Sequence, residues 1–185
     1  MVRHAGNRGL AAAVRTGLQR GLETAGPEDI LITMDADNTH PPDLIPLMVA
    51  RVREGADIVI ASRFRPGARV VGVPWHRQLL SLGASWLYRF LFPIRGVRDY
   101  TCGFRAYRAS LLREGVRRWG EALISESGFA VTVDLLLKLR PLHPRIAEVP
   151  LILRYDLKPG ASKMHVARTI RQSLVLALRR KLGRL

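Results

Sequence analysis

Apolar residues recur with helical spacing in several segments of the chain. From Gly9 to Arg20, Leu10, Val14 and Leu18 lie four residues apart, so they share one face of a predicted helix. Proline favours the first turn of a helix and glycine favours the position just past its end. The same reasoning predicts a helix from Pro41-Pro42 to just before Gly55, with Leu44, Leu47, Met48 and Val52 turned inward. A further helix is predicted over 75–92. Another begins at a cap, Ser125 or Ser127, and carries Phe129, Val133, Leu136 and Leu137.

Short continuous apolar runs between these helices are typical of buried strands. The run from Ile30 to Met34 follows Gly26-Pro27 and is rich in β-branched residues, so it is predicted to be a buried parallel strand. Further strands are predicted over 57–61 and 146–153, and Pro150 indicates an edge position because proline cannot donate to a sheet ladder. This alternation of helices and strands indicates an α/β sheet with helices on its faces.

The last segment, from about Ser162, is predicted to be a basic amphipathic helix. Its apolar stripe consists of Ala167, Ile170, Leu174, Leu178 and Leu182. The surrounding cations are Arg168, Arg171, Arg179, Arg180, Lys181 and Arg184. Two interpretations have equal weight: the helix lies in a membrane interface, or it packs on its own domain with a solvated charged face.

The charge balance narrows the class of partner. The chain has 30 Lys plus Arg against 15 Asp plus Glu, a net charge of +15, which indicates an anionic partner such as nucleic acid, lipid headgroups or a phosphorylated substrate. An Arg-rich genome is an alternative source of the same bias. The single cysteine, Cys102, excludes an internal disulfide and a cysteine-rich zinc site, and it favours a reducing cytosol. No apolar run is long enough to span a bilayer.

The most informative motif follows the first predicted strand. Asp35 and Asp37 leave the strand end one residue apart, where open α/β sheets bind ligands, so both carboxylates can reach one divalent ion. Mg2+ and Mn2+ prefer oxygen ligands and often keep a phosphate in their shell. Two nearby aspartates are more often a solvated turn, but here they are followed by His40, Pro41 and Pro42 at the start of a helix, which favours the metal interpretation.

Segment 35–43 resembles the metal-binding motif of inverting glycosyltransferases of family 2, in particular dolichol-phosphate mannose synthases and related polyprenyl-phosphate glycosyltransferases. The resemblance implies a partial GT-A fold, a Rossmann-like mixed sheet flanked by helices. Further blocks that resemble the family in the same order are Asn7 and Gly9 with Ala11–Ala13, Ser62-Arg63-Phe64, Val97–Tyr107, Gly128-Phe129-Ala130 and Gly160-Ala161-Ser162-Lys163.

The resemblance also implies roles for the matched residues. It places Asp35, Asp37 and Thr39 at a Mg2+ or Mn2+ ion. Asp37, Arg63 and Asp134 are implied to be catalytic. The implied substrate-binding residues are Asp35, Arg63, Arg77, Arg105, Ser162 and Lys163.

More specific roles are expected for Asp134, Asp99 and Cys102. Relatives with hydroxyl acceptors use an aspartate as general base, and Asp134 stands at the acidic position of the related helix. A polyprenyl phosphate is already an anion, so its attack requires no base. Asp99 is expected to be structural or to orient an arginine, and Cys102 is expected to be a packed small residue rather than a nucleophile.

The resemblance further implies that residues 1–160 form a GT-A-like domain lacking its first strands, and that 161–185 form the C-terminal amphipathic helix. Three explanations of the missing first strands are considered: a mispredicted start codon, a separate chain that carries these strands, and an inactive remnant. The first is favoured because the remaining motifs are intact.

The leading hypothesis is a metal-dependent transfer of mannose or glucose from a nucleotide sugar, GDP-mannose or UDP-glucose, to a polyprenyl phosphate. The protein is expected in the cytoplasm, peripheral to the cytoplasmic face of the membrane. The membrane surface is an expected partner, and nucleic acid is not. Two alternatives stay open: a family 2 transferase with a saccharide acceptor, and a truncated, non-catalytic module that binds anionic lipid.

Overall fold

The computed structural model describes residues 1–128, 130–158 and 166–183, with the backbone alone for 166–168. Its helices are α1 (Gly9–Thr24), α2 (Ile45–Arg53), α3 (Trp75–Leu91), α4 (Ala109–Trp119), α5 (Ala130–Leu139) and α6 (Val166–Lys181). Its strands are β1 (Ile30–Thr33), β2 (Ile58–Ser62), β3 (Arg69–Val71), β4 (Arg105–Arg108), β5 (Ile146–Pro150) and β6 (Ile152–Arg154). The helices and strands predicted from the sequence all occur, and β3, β4 and α4 are additions.

The main sheet has the order β1-β4-β2-β5, and it is mixed. Strand β4 is antiparallel to both β1 and β2, whereas β2 and β5 are parallel. Strand β2 is buried along its whole length. The prediction for β1 was wrong: it is a half-buried strand at the sheet edge, antiparallel to its neighbour, because β4 lies between it and β2.

The predicted strand over 146–153 is divided between two sheets. Strand β5 lies at an edge, as Pro150 indicated, and β6 pairs with β3 in a small parallel sheet. Leu151, between them, donates its backbone N–H to the Ser62 carbonyl at 2.9 Å and accepts from the Arg69 N–H at 3.0 Å. One residue therefore links the end of β2 to the second sheet.

The core forms between the main sheet and the helices. Met48 and Val52 of α2 are fully buried, as predicted, but Leu47 is exposed because it lies on the other side of the helix. Helix α5 is buried on nearly all sides, including its charged residues Asp134 and Lys138. Its packing against both α4 and α6 explains its almost continuous apolar sequence.

Helix α6 contacts α3 and α5, but not through the apolar stripe seen in the sequence. Leu176 and Ala177 are the buried residues, whereas Leu174 and Leu178 are more than half exposed. The Tyr88 hydroxyl also donates to the Ser173 carbonyl at 2.8 Å, which fixes the packed side of the helix. Helix α6 thus packs on its domain and still presents Ile170, Leu174, Leu178 and Leu182 of its apolar stripe to solvent.

Helix α3 also presents a large apolar surface. Its exposed large apolar residues are Trp75, Leu79, Leu80, Leu82, Trp86 and Phe90, and Phe90 is 84% exposed. We name this set of side chains the α3 face. No helix in the described part of the chain combines the length and apolar character that a bilayer span requires.

Candidate active site

The Asp-x-Asp turn after β1 is held by its own side chains. The Thr39 hydroxyl donates to Asp37 Oδ1 at 2.7 Å, and the Thr39 N–H donates to the same oxygen at 3.3 Å. Asn38 adopts a left-handed conformation with φ of 64°, which folds Thr39 back towards Asp37. This turn orients the Asp37 carboxylate before any ligand arrives.

His40 stabilises the same turn through its imidazole ring. Its Nδ1 accepts the backbone N–H of Asp35 at 3.2 Å, and its ring stacks on Phe104 at 5.1 Å between centroids. Burial lowers the pKa of His40, although the nearby charges of Asp35 and Asp37 act in the opposite direction. A neutral imidazole with an accepting Nδ1 suits this position, so His40 is a supporting residue of the turn.

A lysine that the sequence did not single out faces the acid pair. Lys158 Nζ lies 2.5 Å from Asp37 Oδ2 and 5.4 Å from the centre of the Tyr155 ring. The hydrogen bond to Asp37 raises the pKa of Lys158, and Asp35 adds to this effect. Burial raises the pKa of Asp37, but hydrogen bonds from Lys158 and Thr39 outweigh burial and lower it overall.

Arg77 joins this group through Tyr155. Its Nη1 donates to the Tyr155 hydroxyl at 3.1 Å, so the predicted phosphate-binding arginine and Lys158 contact the same ring. The Arg154 N–H also donates to the Thr39 carbonyl at 3.0 Å and fixes the 154–158 segment against the turn. The structure therefore brings together the turn, Arg77 and Lys158.

The residues of the turn suit a hard divalent cation. Two carboxylates and a hydroxyl supply only oxygen donors, and the close approach of the Lys158 ammonium to Asp37 shows that the site attracts positive charge. Over the described ranges, no group of three or more His, Cys, Asp or Glu could hold a metal ion. A metal at Asp35 and Asp37 would therefore depend on ligand oxygens from a diphosphate or water to complete its shell.

Arg63 is held by Asp99 in a buried pair. Arg63 Nε donates to Asp99 Oδ2 at 2.8 Å, and Nη2 donates to Asp99 Oδ1 at 2.7 Å and to the Thr101 hydroxyl at 2.5 Å. Burial raises the pKa of Asp99, but the charge and hydrogen bonds of Arg63 lower it overall. The expectation that Asp99 orients an arginine is confirmed, while a catalytic role for Arg63 stays a prediction.

Asp134 belongs to another buried cluster, between α5 and α6. Its Oδ1 accepts from Arg180, with Nε at 2.9 Å, and its Oδ2 lies 3.0 Å from Lys138 Nζ. The Ser125 hydroxyl lies within 3.5 Å of the same oxygen. Both carboxylate oxygens are thus engaged by cations, and the role of Asp134 as a base stays a prediction.

Arg105 requires a correction. It is fully buried, with Nη1 donating to the Thr132 carbonyl and Nη2 to the Tyr100 carbonyl, each at 2.7 Å. A guanidinium with no exposed surface cannot reach a substrate phosphate in this structure. Arg105 instead ties the start of α5 to the segment before β4.

Two remaining predictions have different outcomes. Ser162 and Lys163 lie outside the described residues. Cys102 is buried, and burial followed by the charge of Asp99 raises the pKa of its thiol to about 12. A packed cysteine was expected, and its burial is confirmed.

Comparison with known proteins assigns these features to a family. Residues 1–116 match the model of Glycosyl transferase family 2. The chain is 34% identical over 151 residues to a dolichol-phosphate mannosyltransferase of Pyrococcus furiosus, covering 81% of this chain and 39% of that protein. It is 34% identical over 156 residues to a polyprenol monophosphomannose synthase of Mycolicibacterium smegmatis, covering 84% and 56%. It is 36% identical over 156 residues to an undecaprenyl-phosphate mannosyltransferase of Micrococcus luteus, covering 84% and 60%.

Solved structures show the same fold. Glucosyl-3-phosphoglycerate synthase from Mycobacterium tuberculosis with phosphoglyceric acid has a TM-score of 0.59 at 19% identity, covering 97% of this chain and 57% of that one. The same enzyme with Mn2+, UDP-glucose and glycerol 3-phosphate has a TM-score of 0.58 at 20% identity, covering 96% and 56%. The predicted α/β fold, a mixed sheet flanked by helices as in GT-A glycosyltransferases, is confirmed. The chain spans between 39% and 60% of the lengths of the three relatives above.

Proposed function

Because the chain belongs to glycosyl transferase family 2, we propose that it transfers a hexose from a metal-bound nucleotide sugar to a polyprenyl phosphate. The observation that carries the proposal is the preformed turn in which Thr39 orients Asp37 while Lys158 and Arg77 lie beside it. This arrangement combines oxygen ligands for a cation with cations for phosphate. A nucleotide-sugar diphosphate requires both.

Mannose is the favoured sugar, and glucose is the alternative. The three relatives above are all named as mannosyltransferases or mannose synthases of polyprenyl-type phosphates. The structural neighbour holds Mn2+ and UDP-glucose, which supports a divalent cofactor and keeps a glucosyl donor under consideration. GDP-mannose and UDP-glucose are therefore the donors to test, with Mg2+ and Mn2+.

The residues of the site would act mainly by positioning and by charge. Asp35 and Asp37 would hold the metal, which when bound stabilises the charge of the departing diphosphate. Thr39 fixes the Asp37 carboxylate through its hydroxyl. Lys158 and Arg77 are placed to bind phosphate oxygens, for which the planar fork of arginine is well suited.

The acceptor makes a general base unnecessary. A polyprenyl phosphate carries a negative oxygen near neutral pH, so that oxygen can attack the anomeric carbon as the diphosphate leaves. A saccharide acceptor would need a base, but both oxygens of Asp134 are paired with Arg180 and Lys138. This pairing favours the phosphate acceptor over the hydroxyl acceptor.

A membrane-bound acceptor also requires contact with the membrane surface. The α3 face and the outward stripe of α6 present apolar side chains that include Trp86, Phe90 and Leu178. Arg179 and Lys181 lie near the stripe and would favour anionic lipid. These surfaces support a peripheral location on a membrane, and we propose its cytoplasmic face.

Sugar transfer to polyprenyl phosphate tests the proposal. The chain is incubated with radiolabelled GDP-mannose or UDP-glucose, Mn2+ or Mg2+, and polyprenyl phosphate in detergent, and the lipid phase is counted. The proposal predicts metal-dependent transfer that Asp37→Asn reduces at least about 100-fold, since the variant loses a charged metal ligand. The matched control is Asp156→Asn, because Asp156 is exposed and paired with Arg154.

The result also separates the enzyme from a binding module. Transfer that is independent of metal, or unchanged in Asp37→Asn, would contradict the metal-based proposal. A folded protein that binds vesicles but transfers no sugar would favour the non-catalytic lipid-binding module.

A further inference from the structure

A small cleft lies between α3 and the segments that follow β2 and precede β4. It has a volume of about 130 Å³ and is lined by Phe64, Leu82, Ser85, Trp86, Arg89 and Arg98. Leu82 and Trp86 belong to the α3 face, so the cleft adjoins the apolar surface of the helix. It is thus both basic and bordered by apolar side chains.

Ser85 contributes an unused hydroxyl to the cleft wall. Its side chain is 2% exposed, and its Oγ has no hydrogen-bond partner among the described residues. Buried hydroxyl groups nearly always have a partner, because leaving one unpaired costs free energy. A ligand with acceptor oxygens in the cleft would supply that partner.

Two arginines add positive charge to the same cleft. Arg89 Cζ lies 5.4 Å from the centre of the Trp86 ring, and Arg98 Nη1 lies 3.5 Å from the Phe64 carbonyl. Neither guanidinium pairs with an acidic side chain in the part of the chain that the structure describes. The nearby Glu148 carboxylate instead forms an ion pair with Arg65, with 3.1 Å between Oε2 and Nε, and its Oε1 accepts the backbone N–H of Arg98 at 2.7 Å.

We propose that this cleft binds the phosphate group of an anionic lipid, with Arg89, Arg98 and the Ser85 hydroxyl as its ligands. The phosphate supplies the negative charge and acceptor oxygens, and the lipid's apolar part would follow Leu82 and Trp86 along the α3 face. An anion without an apolar part would leave these exposed side chains in water. The proposal rests on the proposed membrane contact and identifies where the headgroup binds.

No residue of the Asp-x-Asp turn lines the cleft. Phe64 lines it, and Arg63, paired with Asp99, lies 5.4 Å from the centre of the Phe64 ring. Lipid binding can therefore be measured without metal or donor. Its failure would leave the transfer assay of the proposed function to be judged independently.

Vesicle flotation tests the site. Binding is measured to phosphatidylcholine vesicles alone, with phosphatidylglycerol, and with polyprenyl phosphate, for Arg89→Gln, Arg98→Gln and Ser85→Ala. Each arginine variant is expected to bind phosphate-doped vesicles about tenfold more weakly, the effect of losing one charge-assisted contact. Ser85→Ala is expected to lose about threefold, as one neutral hydrogen bond is removed.

Arg118→Gln is the matched control. Arg118 Cζ also lies over a tryptophan, 5.2 Å from the centre of the Trp119 ring, but it is on α4 and outside the cleft. Equal losses in Arg89→Gln and Arg118→Gln would overturn the proposal, because general charge attraction would then explain the binding. Unfolding temperatures of all variants verify that they are folded.

The two lipids distinguish the source of the phosphate. A loss on both doped vesicles assigns the cleft to membrane phospholipid, and a loss confined to polyprenyl phosphate assigns it to the acceptor. Unchanged binding of the cleft variants to both lipids would overturn the proposal.

Discussion

Replacing Asp99 by asparagine tests the buried ion pair between Asp99 and Arg63. Asp99 is fully buried and accepts from Arg63 Nε, Arg63 Nη2 and the backbone N–H groups of Arg63 and Cys102. Asparagine keeps one acceptor oxygen, but it turns an amide donor towards the guanidinium and removes its counter-charge. Breaking a buried pair in this way costs about 3–5 kcal/mol, because Arg63 is left without compensation.

Thermal and urea unfolding measure this cost. For a domain of this size, about 2–4 °C of melting temperature is lost per kcal/mol, so Asp99→Asn is expected to lower it by about 6–20 °C. Asp156→Asn is the control, because Asp156 forms the same kind of pair with Arg154 at the surface. Similar melting temperatures for the two variants would refute the reasoning.

The pH dependence gives a second readout of the same pair. Because the folded pKa of Asp99 is lowered below its ordinary value, its stabilising contribution is present above about pH 4 and is lost as the pH falls further. Wild-type protein should therefore lose stability on acidification more steeply than Asp99→Asn. Equal slopes below about pH 4 would contradict the assigned direction of the pKa shift.

The remaining predictions concern Lys158 and Cys102. Lys158→Gln removes the cation paired with Asp37, so this variant should bind Mn2+ about tenfold tighter than the wild type in the absence of donor. Electron paramagnetic resonance of free Mn2+ measures the affinity. The control Lys181→Gln, on α6, should leave the Mn2+ affinity unchanged. Weaker Mn2+ binding by Lys158→Gln would show that the lysine supports the metal instead of competing with it. Cys102, with its pKa raised to about 12, should resist thiol reagents at pH 8 until urea unfolds the chain. Rapid labelling of the folded protein would contradict its burial.

The regular elements of the fold could be predicted where apolar spacing determined them. Strand β2 occurs within one residue of its predicted bounds, because its apolar run is buried in the core. Helix α3 also occurs within one residue of its predicted bounds, although most of its large apolar side chains form the exposed α3 face. Strand β4 could not be predicted, since its sequence Arg-Ala-Tyr-Arg begins with an arginine that is buried through hydrogen bonds to carbonyl groups. Its insertion beside β1 in turn made the predicted environment of β1 wrong.

From residue spacing alone, the site was predictable only where its parts are close in the sequence, and Arg77 was named through the family resemblance. The turn from Asp35 to His40 is local, so its spacing carried the signal. Lys158 lies 121 residues from Asp37, and a lone lysine after a short strand gives no sign of its partner. For a related reason the apolar stripe of α6 left two interpretations open, since sequence periodicity defines a face but not what covers it.

Binding of a nucleoside diphosphate, followed by calorimetry, tests the central claim most directly. If Asp35 and Asp37 share a divalent cation that holds the donor diphosphate, GDP or UDP should bind with Mn2+ and fail to bind without it. Asp37→Asn should abolish this metal-dependent binding, and Asp156→Asn should retain it. Equal diphosphate binding with and without Mn2+, or in Asp37→Asn and wild-type protein, would contradict the account.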